Sequence, residues 1–219
     1  MDDQENPHAM EELEKSFYND GYLLAEKLVK SEDLPGSLQN AVKQFYSVLD
    51  SFLEIFLKEA DSQGTPAHCK KGCAWCCHQP VFAQTHEFLY MKHWMFKNLG
   101  TKQVDKVFKR AGKKHKTTKS FTQEQRLLHK EPCPLLVNNT CSVYKVRPMA
   151  CRIYLSRNLA SCISEFSNPG DKSSYPMLFD LPLRAGRSMN NGFVNRLKEM
   201  GIDVEEMVIE QGILAAHGN

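Results

Sequence analysis

The 219-residue sequence contains no apolar run approaching the ~18 residues a helical membrane span needs, so no membrane crossing is expected. Its opening, MDDQENPHAMEELEK, has acids where a secretory signal has a basic stretch followed by an apolar one; no such signal is expected either. Excess charge of one sign is also missing: 28 Lys and Arg face 26 Asp and Glu, a formal +2. Bulk charge therefore argues for neither a nucleic acid, a membrane surface nor an acidic substrate. There is no Gly-rich phosphate loop, G-x-S-x-G elbow or H-E-x-x-H pair, so the commonest nucleotide, serine-hydrolase and zinc-protease chemistries have no residues to rest on. Internal repeats are absent too, because the two cysteine clusters differ in spacing.

The chain does have enough apolar residues, 42% of the total, to build a core, and one domain over 1–219 is expected. From Met10 to Lys30, the residues Leu13, Phe17, Leu24 and Leu28 keep helical spacing. After SEDLPG, the residues Val42, Phe45, Leu49, Phe52, Ile55 and Phe56 keep it again until Gly64 and Pro66. Two helices spanning 9–64, paired as an antiparallel hairpin, are predicted. A third runs from Thr85, read as its N-cap, to Gly100. TKQVDKVFKRAGKKHKTTKS begins helical and turns basic and polar, and FTQEQRLLHK reads as another short helix. NNT, between LLV and CSVY, is a hairpin turn signal, and short strands or loops are predicted around it. A loop, long enough to be a lid or disordered, is predicted from Asn168 to Gly192, and closing helices over 190–217. The fold class is mainly α: helices around a loop-rich, cysteine-ligated centre over 68–162, with at most short strands.

Eight cysteines are poor disulfide material in the cytoplasm, the compartment expected here, and a chain this long needs no staples. Metal binding or redox chemistry is the leading account, with plain burial of some thiols as the alternative. In HCKKGCAWCCHQP, Cys69, Cys73 and Cys76 follow a C-x3-C-x2-C spacing with Cys77 adjacent. Cys133, Cys141, Cys151 and Cys162 lie far downstream. Thiolates suit zinc or iron–sulfur centres, each commonly taking four, so eight suffice for two sites or for one with spares. In an extended segment Cys76 and Cys77 would point to opposite faces, which assigns one of them to a second metal or the core. The spacing is also similar to that of radical SAM enzymes, but their motif follows the first strand of a βα array, whereas two helices precede this one.

CKKGCAWCC followed by CPLLVNNTCSVYKVRPMACR resembles the YkgJ-type cysteine-cluster family, a zinc- or iron-chelating domain with paired thiols, C-x-(I/V)-Y and RP-x-x-CR. The resemblance covers Cys69 to Arg152 and takes in every cysteine but Cys162. It implies a metal centre held by thiols among Cys69, Cys73, Cys76, Cys77, Cys133, Cys141 and Cys151, carrying Zn²⁺ or an iron–sulfur cluster. A related motif in flagellin lysine N-methylases implies, as an alternative, an iron–sulfur enzyme of methyl transfer or redox type. Metal storage or delivery is a further reading.

Other residues near the thiols have physical roles to offer. Pro134 and Pro148 stiffen the chain beside Cys133 and Cys151. Arg147 and Arg152 are cations able to offset the negative charge of thiolates on a metal, or else ordinary surface arginines. His68 and His78 are loop histidines that could replace a thiolate, and Tyr144 and Trp75 are aromatic shields or core residues. The run Lys102–Lys119, eight Lys or Arg against the single acid Asp105, suits a nucleic-acid backbone, although a solvated face is the commoner meaning of such a run. A protein partner or substrate is left unnamed by the sequence.

Overall fold

The two apolar runs of helical spacing become the two longest helices, α1 (Pro7–Leu28) and α2 (Leu34–Ser62), in a computed structural model that describes residues 7–218 except Lys71 and Lys172. The acidic residues Asp2, Asp3 and Glu5 lie outside the described residues. Helix α2 starts where Asp33 accepts the Gly36 N–H at 3.2 Å and Pro35 sits in the first turn, whose amides have no helical partner to lose. Its buried residues Leu38, Ala41, Val42, Phe45, Leu49 and Leu53 form one stripe. The two helices are antiparallel neighbours, Phe17 meeting Phe52 edge-on at 4.8 Å.

The most extensive partner of α1 is nevertheless α8 (Asp180–Glu199), which runs parallel to it. Arg184 donates to Glu14 at 2.6 Å near the start of the pair, and Tyr22 donates to Glu199 at 2.6 Å towards its end. The backbones touch at two glycines: a Cβ on Gly21 would lie 1.9 Å from the Met189 carbonyl oxygen, and one on Gly192 1.9 Å from that of Tyr18. This corrects the sequence expectation, which kept residues 168–192 as a loop and began the closing helix at 190. The glycines and asparagines of RAGRSMNNG lower helix propensity, but Gly186 and Gly192 let α8 approach Ile153 and Tyr18, and burial outweighs propensity.

After the first thiol cluster, β1 (Phe82–Gln84) leads into α3 (Thr85–Asn98). Thr85 is the first helical residue rather than the N-cap. The cap is Gln84, whose N–H is accepted by Glu87 at 2.9 Å. Helix α4 (Thr101–Thr118) is continuous through the basic run, and α5 (Gln123–Leu128) follows. A two-residue turn joins β2 (Leu136–Val137) to β3 (Thr140–Cys141) at the NNT signal, with Asn138 and Asn139 at φ 48° and 56°, the left-handed region that such hairpins require and asparagine tolerates. The downstream cysteine region is more helical than expected, with α6 (Met149–Ile153) and α7 (Leu159–Ser167). The segment read as a final helix divides into β4 (Glu206–Val208), antiparallel to β1, and α9 (Ile209–Gly218).

Two apolar clusters result. One joins α1, α2, α6 and α8; the other joins α3, α4, α9 and β1 with Leu135, Val143 and Val146. Tyr90 packs against both. Cys69 packs on the first cluster and Cys133 and Cys141 on the second, which puts the thiols at the seam.

Candidate metal centre

Two backbone hydrogen bonds draw the distant cysteine stretches together. The Cys133 N–H donates to the Cys77 carbonyl at 2.7 Å, and the His68 N–H donates to that of Ser156 at 2.8 Å. Within the first stretch, Cys73 N–H closes a turn onto Lys70 O at 2.9 Å, and Trp75–His78 forms a 3-10 turn. In the second, Pro148 starts α6 and Cys151 N–H bonds its carbonyl at 2.9 Å. As a result Cys69, Cys73, Cys76, Cys77, Cys133, Cys141 and Cys151 all line one cavity of about 440 Å³, together with Arg147, Tyr144 and, from α2, Asp50 and Glu54.

Cys76 and Cys77 are not in an extended segment, so the premise that they point to opposite faces does not hold. Neighbours on a 3-10 turn stand about 120° apart. Both reach the cavity, where their side chains hydrogen-bond to each other.

The sulfurs sit in surroundings that resist an uncompensated thiolate. Burial pushes Cys133 up to about 12 and Cys69 up to about 11. Cys76 is raised by its bond to Cys77 and then by burial, and Cys141 and Cys151 by burial. Groups favouring the thiolate are already aimed at the sulfurs. Ser156 N–H lies 3.2 Å from Cys69 Sγ, and the N–H groups of Leu135 and Val143, two residues past their cysteines, bond Cys133 and Cys141. Arg147 lowers Cys76, Cys141 and Cys151 through its charge.

N–H···S bonds and a nearby guanidinium are the usual support of metal-bound thiolates, and the missing ingredient is a cation at the sulfurs. The donor set therefore fits a thiophilic metal. The sulfurs ring the cavity instead of meeting at a point: among the described residues no three His, Cys, Asp or Glu side chains are grouped tightly enough to hold one ion as placed.

The two arginines diverge. Arg147, extended before Pro148 at φ −58° and ψ 145°, lies over the Tyr144 ring at 4.1 Å and faces the cavity. Arg152 also lines the cavity, but its guanidinium is buried against other partners: it pairs with Asp50 and donates to the carbonyls of Lys145 at 2.7 Å and Arg147 at 3.0 Å. His68 is exposed and His78 packs on Phe166, with Nδ1 3.0 Å from the Ala74 carbonyl. Trp75 packs on Phe166 as well, while Tyr144 forms part of the cavity wall. Cys162, on α7, is outside the cavity lining.

Sequence reasoning missed Asp50, Glu54 and Tyr154 in the wall, and no spacing could have found them because they come from α2 and from the loop after α6. It also missed Glu87. The capping pattern into α3 announces that residue, but its second bond, accepting the Met149 N–H at 2.7 Å, caps α6 across the fold.

Residues 68–168 match the family model CxxCxxCC, described as "Putative zinc- or iron-chelating domain". The match takes in both thiol clusters and supports metal binding; α1, α2 and the chain beyond 168 lie outside it. No curated protein and no solved structure gives a significant match.

Proposed function

We propose that the CxxCxxCC segment makes this chain a metal-binding protein whose centre, Zn²⁺ or an iron–sulfur cluster, is held by thiolates drawn from both stretches: Cys69, Cys73, Cys76, Cys77, Cys133, Cys141 and Cys151. The observation that carries this reading is the single cavity on which all seven side chains border. Four thiolates complete either kind of centre, and four on Zn²⁺ leave a net charge of about −2, which Arg147 and the three N–H groups offset. Arg152 acts one step further out by fixing the Lys145 and Arg147 carbonyls and α6. All eight cysteines are free, in keeping with a reducing compartment such as the cytoplasm. Among the described residues no helix is long and apolar enough to cross a membrane.

An enzyme is the second reading, and cavity size favours it. At about 440 Å³ the cavity falls in the range of small-molecule sites, well above the needs of one ion. A metal with an open position there would supply redox or group-transfer chemistry, while Asp50, Glu54 and Tyr144 on the wall would orient a substrate. Metal storage or delivery differs from both in exchange rate: a delivery centre loses its metal to a competing chelator within minutes.

Anaerobic purification followed by elemental analysis and a visible spectrum on the same sample tests the proposal. Stoichiometric zinc in colourless protein, or iron with sulfide and broad visible absorption, is the expected result. Protein free of both metals overturns it.

A further inference from the structure

All of the basic run but Lys119, which follows the helix, lies on α4, and the structure divides the seven Lys and Arg of that helix into two groups. Arg110 and Lys114 are structural: Arg110 Nε donates to the Pro134 carbonyl at 2.7 Å and Lys114 Nζ to that of Glu131 at 2.9 Å, holding the approach to the second thiol cluster. Lys102, Lys106, Lys109, Lys113 and Lys116 are all exposed. Their intervals of four, three, four and three residues keep them within a sector of roughly 80°, opposite the buried Val104, Val107, Ala111 and Thr118. The row extends for roughly 21 Å along the helix.

Among the described residues none of the five lysine side chains has an ion-pair or hydrogen-bond partner, whereas Lys15 on α1 and Lys58 on α2 each pair with a glutamate one turn away, at 3.1 and 2.8 Å. Between Thr101 and Ser120 there are eight Lys or Arg against Asp105 alone, in a chain of net charge +2, so the rest of the chain is net acidic. Like charges at such intervals repel and weaken the helix. Their segregation in one unneutralised row is the footprint of a polyanion.

We propose that this lysine face of α4 binds the phosphate backbone of a nucleic-acid duplex without reading its sequence. A straight row of cations matches a linear array of phosphates. The exposed face carries no large apolar residue to enter a lipid surface, since the apolar side of α4 is committed to the core. It carries no exposed aromatic for stacking on unpaired bases either, which favours duplex over single strand. Lysine contacts phosphate as a point charge and brings affinity without base readout. The proposal is independent of the metal at the thiol centre.

The test is fluorescence anisotropy of the full chain with labelled DNA and RNA duplexes of mixed sequence, against salt, with co-sedimentation on anionic phosphatidylserine vesicles alongside. Five phosphate contacts give a slope of about −4.5 in log K against log salt for DNA, or about 500-fold weaker binding between 50 and 200 mM salt. K106Q/K109Q is expected to reduce that loss to about 40-fold, and K15Q/K58Q to leave it unchanged. Absence of duplex binding at 50 mM salt, equal slopes for K106Q/K109Q and the unsubstituted chain, or binding to vesicles but not to duplex each overturns the proposal.

Discussion

The guanidinium of Arg152 lies 4.0 Å from the centroid of the Tyr46 ring, whose hydroxyl donates to Glu87 at 2.8 Å. With Asp50 paired to the guanidinium and the Met149 N–H on Glu87, this group ties α2, α3 and α6 together and so places Cys151. Replacing Arg152 by Met strands the carbonyls of Lys145 and Arg147 in the interior, removes the cation near buried Glu87, and is expected to cost about 3 kcal/mol or more. Asp50→Asn, at a half-exposed carboxylate, is expected to cost about 1 kcal/mol. Urea unfolding of both variants checks the difference.

Buried His86 makes stability depend on pH. Its ring packs 5.2 Å from Phe193, Nδ1 has no hydrogen-bond partner, and burial holds the imidazole down at about 3. The unfolded chain takes a proton near 6.5 that the folded one refuses, so stability rises with pH between about 3 and 6.5 and is lost as pH falls through 6.5. Glu87 works the other way: burial raises its carboxyl, so the folded form takes its proton first on acidification. Comparison with His86→Gln isolates the histidine. The stability of the unsubstituted chain relative to that variant is expected to drop by about 2 kcal/mol from pH 7 to pH 5 in urea melts.

Glycines on the helices divide into two kinds. Gly21→Ala and Gly192→Ala each drive a methyl into a carbonyl of the partner helix and are expected to cost about 2 kcal/mol or more in spite of better helix propensity. Gly112, inside α4, has nothing within 4 Å of its would-be Cβ, and Gly112→Ala is expected to stabilise by about 0.5–1 kcal/mol. Thermal melts should shift in opposite directions.

Among the thiols, Cys73→Ser and Cys151→Ser are expected to lower metal content, one from each stretch of the cavity wall. Cys162→Ser, outside that wall, is expected to keep the full complement. Elemental analysis of anaerobically purified variants decides each in turn, and full metal in Cys151→Ser would remove the second stretch from the centre at that residue.

How much of this was legible in advance varies with the range of the forces involved. The stripes of α1 and α2 and the Asn138–Asn139 turn are local patterns, and each lies in the sequence as read. The extent of α8 was hidden because its glycines and asparagines disfavour a helix until Tyr18 and Ile153 lie against it. The cap of α3 is Gln84 and not Thr85, because it depends on the side chain of Glu87. Adjacent cysteines point apart only on an extended backbone, and the 3-10 turn over Trp75–His78 reverses what their adjacency means.

By itself the sequence determined the inventory: two thiol stretches, the proline and arginine residues beside them, mainly helical flanks and a basic run. Only the tertiary structure decided that seven sulfurs share one wall, that Arg147 faces them while Arg152 anchors α6, and that five lysines stand in one unpaired row. The reason is physical. Spacing and turn chemistry act within a few residues, whereas the cavity depends on bonds such as Cys133 N–H to Cys77 O and on burial across two apolar clusters, and those energies exist only after distant parts of the chain have met.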